Sequence, residues 1–173
     1  MILRLKIVDY NFSPKYKLDS LNIDNILLAF TQRIEFYYFE PIDRLNDKEY
    51  GFAATTLLAS LIDILAKTEN HNKKDYNKPE YLDWLTNNLG FNSEITIKFY
   101  ESFRCGLIHA GCIESNGQIS YNQKELIEIY NNHLIVNPRI LLKKIKNSFT
   151  HYINNEDPEE LLRYLKNKIP EIS

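Results

Sequence analysis

Little in this chain could staple or hinge it: 173 residues hold two cysteines, five glycines and one tryptophan. So few cysteines exclude a disulfide scaffold and point to a reducing compartment. On one helix Cys105 and Cys112 would lie about 10 Å apart, beyond disulfide reach, and they read as packing residues. A basic excess is also missing. The formal net charge of −2 excludes coating nucleic acid by charge alone and leaves room for a local basic pocket. There is no Gly-rich phosphate loop, Walker motif or Ser-His-Asp order. His71, His133 and His151 are scattered without metal-ligand spacing, so neither a metal nor another cofactor is expected. No run approaches the length of a membrane span, and MILRLKIVDYNFSP is too short and too charged for a signal sequence. A cytoplasmic protein with no membrane partner is expected.

What is present suffices for one packed domain over residues 1–173. With 44% hydrophobic and 25% charged residues the composition is that of a globular protein rather than a disordered one. The start, to about residue 18, alternates loosely and reads as an edge strand or extended arm. A first helix is expected from about Leu21 to Phe39, capped by Asp19 or Ser20 and ended by Pro41, with Ile23, Leu27, Phe30, Ile34 and Tyr37 or Tyr38 inward. A second, from about Asp47 to Lys67, turns Phe52, Ala54, Leu58, Leu61, Ile62 and Leu65 to the core and puts Asp63 on its far side. TENHNKKDYNK reads as a solvated loop, Lys73, Lys74 and Lys78 included, and a short helix follows from Pro79 to Asn88. Asn116-Gly117 between extended runs is a strong hairpin signal, and Asn131-Asn132 is a second turn candidate. Asn137-Pro138 and Asp157-Pro158-Glu159-Glu160 open two further helices, the first turning Ile140, Leu141, Ile145, Phe149, Tyr152 and Ile153 inward. Lys143, Lys144 and Lys146 read as its wet face, and Phe36, Tyr37 and Tyr38 as core. The sum is a mainly α fold: a four- to five-helix antiparallel bundle with a small β-hairpin inserted after the helix that ends in FRCGLIHAG.

That helix, from Asn92 or Ser93 to Gly111, is where side chains depart from what a core needs. Phe99, Phe103, Leu107 and Ala110 form an apolar stripe with Ile95 at its edge. At α-helical pitch Arg104 and His109 would lie about 140° apart around the axis and about 7.5 Å apart along it, flanking a second face of Glu101, Cys105, Ile108 and Ile97. A face that is neither polar nor apolar is expected where a core helix also lines a cleft or a subunit interface.

Arg104 and His109 in FRCGLIHAG, at the end of a helix, resemble the R-x4-H signature of the HEPN family (higher eukaryote and prokaryote nucleotide-binding). The likeness is strongest over Asn92 to Gly111. Tyr38 to Lys67 is similar, more weakly, to the long paired helix that precedes the motif in such proteins. The resemblance implies a compact helical domain of a toxin–antitoxin or phage-defence system. Its active members are metal-independent endoribonucleases whose two subunits bring both Arg-His sets into one cleft at the dimer axis. It further implies RNA as substrate, a homodimer, an antitoxin or nucleotidyltransferase partner, Arg104 and His109 as the catalytic pair, and an auxiliary acid at Asp63 or Glu40. Cys105 stands where active members often carry a small polar residue, which favours the alternative of a catalytically silent module that dimerises or binds nucleic acid, nucleotide or protein.

The residue types suit the chemistry. RNA cleavage without a metal needs a base for the 2′-hydroxyl, a cation for the phosphorane and an acid for the 5′-oxygen. Histidine supplies base or acid, arginine a permanent fork for two phosphate oxygens. The negative helix end is expected to favour the protonated ring of His109. The purely structural alternative pairs Arg104 with Glu101 or a terminal carbonyl and leaves His109 capping carbonyls.

Overall fold

The computed structural model describes residues 11–71 and 77–169 and is mainly α-helical. The expected edge strand or arm lies outside the described residues as far as residue 10. Beyond it β1 (Asn11–Ser13) and β2 (Tyr16–Lys17) form a small antiparallel pair. Lys73 and Lys74 also lie outside the described residues, whereas Lys78 belongs to a helix.

The first helix departs from expectation at both ends. α1 (Ile26–Ile34) starts after Leu21, so Ile26, Ala29, Phe30 and Ile34 are buried and Ile23 is exposed. Pro41 does not end it. A π-helical segment, Glu35–Phe39, leads into α2 (Glu40–Asp47), which carries the proline in its first turn. In continuous α-helix the proline ring would clash with the Tyr37 carbonyl and remove its hydrogen bond; one wider turn before it relieves both. That turn also leaves Phe36 and Tyr37 exposed, against the expectation of core.

α3 (Gly51–Thr68) is the central helix, packed on α2, on α4 (Asn77–Leu89), on α6 (Pro138–Asn155) and on the motif helix. Ala54, Leu58, Leu61, Ile62 and Leu65 are buried as expected, while Phe52 is exposed. Contrary to the expectation of no such run, α3 is long and apolar enough to match a membrane span, and 56% of that stretch is buried inside the protein. Tyr81, Trp84 and Leu85 of α4 pack against the core.

The motif helix opens as α5 (Ser93–Phe99), where the Asn92 side chain accepts from the Ile95 N–H, and continues as π-helix over Tyr100–Ala110. Gly111, at φ 66°, ends it in the left-handed conformation that glycine adopts without strain. The following chain folds back along the helix. The Glu114 N–H donates to the Ser102 carbonyl (3.2 Å) and the Cys112 N–H to the Gly106 carbonyl (3.2 Å). A Cβ on Gly106 would stand 2.5 Å from the Cys112 carbonyl oxygen and 2.9 Å from the Glu114 nitrogen, so only glycine admits this return.

Asn116-Gly117 is not a hairpin turn: β3 (Gly117–Ile119) runs parallel to β5 (His133–Val136). The hairpin joins β4 (Ile127–Tyr130) to β5, and its two turn residues, Asn131 and Asn132, both have positive φ, as a tight two-residue hairpin turn requires. Leu134 and Val136 face the core. Asn137 caps α6, accepting from the Arg139 and Ile140 N–H groups, and Asp157 caps α7 (Pro158–Lys168). In α6, Leu141, Leu142, Ile145 and Phe149 are buried, while Lys143 and Lys144 face solvent and Lys146 pairs with Asp43 at 2.6 Å.

Candidate active site around Arg104 and His109

A π-helix bonds each N–H five residues back and turns less per residue, so residues i and i+5 lie nearer each other around the axis than at α-helical pitch. Arg104 and His109 have that spacing. They meet: Arg104 Nη1 donates to His109 Nε2 at 2.5 Å, where α-helical pitch predicted separation. Tyr100 and Cys105, also five apart and one turn earlier, lie near enough for the thiol to influence the phenol. Because a guanidinium only donates, Nε2 is the acceptor in this contact with Arg104. His109 and Ala110 are exposed, whereas Arg104 is only 8% exposed. Ala110 therefore leaves the expected stripe, of which Phe99, Phe103 and Leu107 are buried.

Arg104 is held but incompletely satisfied. Its Nη2 lies 3.7 Å from Asp63 Oδ2 on α3, an ion pair too long for a hydrogen bond, and the same oxygen takes the Lys67 ammonium at 3.0 Å. Its buried Nε–H has no partner among the described residues. The guanidinium lies 5.7 Å from the centre of the Tyr100 ring, and Lys78 Nζ lies 5.3 Å from the same ring and 3.9 Å from Glu101. Tyr81 closes the floor, edge-on to Tyr100 and fully buried. Burial first, then the Asp63 charge, push the Tyr81 phenol well above its usual range, with Arg104 opposing. Burial and Cys105 raise Tyr100 likewise. Both phenols stay neutral donors at physiological pH.

Asp63, on the side of α3 away from its expected inward stripe, is thus largely buried against Arg104. Glu40 is elsewhere: it pairs with Arg44 at 3.4 Å, and among the described residues no hydrogen bond or ion pair joins it to Arg104 or His109. Sequence reasoning missed Lys67, Lys78 and Tyr100. Lys67 was legible as the i+4 partner of Asp63; the other two required tertiary structure. The second face, Ile97, Glu101, Cys105 and Ile108, stays largely open, with Ile97 and Ile108 exposed.

His71, expected in a solvated loop, is instead nearly buried between Glu156 (3.0 Å) and Glu160 (3.5 Å), tying the end of α3 to α7. Among the described residues no group of three or more His, Cys, Asp or Glu is arranged to hold a metal ion. Comparison with protein-family models, with curated proteins and with solved structures finds no match for this chain.

Proposed function

We propose that this chain is a HEPN-like, metal-independent endoribonuclease of a toxin–antitoxin or phage-defence system, working in the cytoplasm on RNA. In this reading it is a four- to five-helix antiparallel bundle whose hairpin follows the motif helix. Two copies pair through the face bearing Ile97, Cys105 and Ile108, which brings two Arg104-His109 sets into one cleft. The observation that carries the reading is a nearly buried, under-satisfied guanidinium touching an exposed imidazole at a helix end. The arginine takes the two non-bridging phosphate oxygens and stabilises the phosphorane. His109 Nε2 takes the 2′-hydroxyl proton, and the partner's histidine is placed to protonate the leaving 5′-oxygen. Asp63 steadies Arg104 from α3, and Lys67 and Lys78 add positive potential at the approach. Binding of an antitoxin or nucleotidyltransferase over the mouth of that cleft would close it.

A second reading, a silent module that dimerises or binds a partner, is favoured by two specific observations: Cys105 directly after the arginine, and the exposed Ile97 and Ile108 beside it. Incubation with total RNA in EDTA separates the two. Cleavage by wild type, lost in Arg104→Ala and His109→Ala, supports the ribonuclease. No cleavage by folded wild type leaves the binding module.

A further inference from the structure

We propose that the Arg104–His109 contact is a resting latch, opened when a phosphodiester takes the Arg104 guanidinium and frees His109 Nε2. This rests on the Arg/His site proposed above. The Nε2 lone pair is the one a general base needs, and in the structure it accepts from Arg104 Nη1. The base is therefore occupied at rest. Arg104 lies beneath, nearly buried, with His109 as the exposed lip, so an anion reaching the guanidinium from solvent competes with the imidazole for it.

The exchange favours the anion. The Nε–H has no partner among the described residues, and the nearest carboxylate is 3.7 Å away and shared with Lys67. A phosphodiester monoanion offers two oxygens that match the guanidinium fork, and it adds an attraction of opposite charges that a single ring nitrogen does not supply. Lys78, beside the same Tyr100 ring, adds a second cation near the approach; Glu101 and Asp63 are the opposing anions. Phosphate binding and base availability are thus one event. Without a phosphodiester at Arg104, His109 is a poor base.

Diethyl pyrocarbonate acylates a free imidazole lone pair, and mass spectrometry reads His71, His109, His133 and His151 separately. The probe is dimethyl phosphate, a diester with neither base nor sugar. The latch predicts slow acylation of His109 in wild type, accelerated roughly tenfold by saturating diester. Arg104→Met should show the fast rate without diester and no further response to it, with His133 and His151 unchanged throughout. Protection of His109 by the diester, or an unchanged rate in wild type, would overturn the latch, and that comparison stands even if Arg104→Met fails to fold. RNA cleavage is read separately. A latch that opens in a protein that cuts no RNA removes the ribonuclease and keeps the latch; cleavage with no acceleration does the reverse.

Discussion

The helix from Ile26 to Asp47 and the helix from Ser93 to Ala110 both leave α-helical register, and the contrast between them explains the site. In the first, five π residues precede Pro41 and the chain then returns to α-helix. The wide turn answers a backbone problem, and the side chains it displaces, Phe36 and Tyr37, are turned to solvent. In the second, the π register begins at Tyr100 and runs to the helix end. There it reorganises side chains: Tyr100 meets Cys105, and Arg104 meets His109. A single wide turn shifts a face by one residue, whereas a sustained one brings residues five apart nearer each other throughout the segment.

Substitutions can break this contrast at different points. The largest effect is expected at Arg104: Arg104→Ala should lower the initial rate of RNA cleavage in EDTA by at least about 100-fold. The matching change in the first helix, Arg33→Ala, removes a bond to the Phe12 carbonyl and should leave that rate within about twofold. Retained cleavage in Arg104→Ala would dissolve the functional difference between the two helices. Next comes Gly106→Ala, whose new Cβ meets the returning backbone of Cys112 and Glu114. Urea titration should show a loss of about 3 kcal/mol, as overpacking against atoms that cannot move aside gives.

Pro41→Ala tests the cause of the first π turn. Without the ring the α register becomes available, so stability should change by no more than about 1 kcal/mol, while hydrogen exchange of the Glu35–Glu40 amides should change pattern. An unchanged pattern would mean that packing, not proline, sets that turn. The smallest effect is expected outside both helices, at Glu69, which accepts from the Trp84 indole at 2.8 Å. Burial first, and secondarily Glu156, raise its carboxyl, with Trp84 and Asn88 opposing. The native state then keeps a proton just above the usual carboxylate range that the unfolded chain has lost, so this group's contribution to stability falls as pH rises through that window. Glu69→Gln removes that dependence: thermal melts across pH 4 to about 7 should show a flatter profile, with the variant gaining on wild type at the neutral end. A loss that grows with pH would reverse the sign.

The sequence disclosed most where periodicity meets burial. Leu58, Leu61, Ile62 and Leu65 in α3, and Leu141, Ile145 and Phe149 in α6, recur at helical spacing and are buried. Caps at Asn92, Asn137 and Asp157 were legible because an Asn or Asp just ahead of a helical run has one good use for its side chain. Both failures of register trace to the same assumption of constant α-helical pitch. It stopped the first helix at Pro41 and set Arg104 and His109 apart. Asn116-Gly117 misled because a strong turn dipeptide says nothing of which strand its neighbour will join: β3 pairs directly with β5, the central strand, although β4 comes between them in the chain. His71 was beyond reach, since Glu156 and Glu160 stand more than 80 positions away in the chain.

Sustained π register is what joins Arg104 to His109. Scalar coupling through hydrogen bonds tests it at the helix end, where the Gly111 N–H bonds the Gly106 carbonyl. In uniformly ¹³C,¹⁵N-labelled protein the Gly111 nitrogen should couple to the Gly106 carbonyl carbon. Coupling to the Leu107 carbonyl instead would mean α-helical register in the turn that carries His109, contradicting the register that joins it to Arg104.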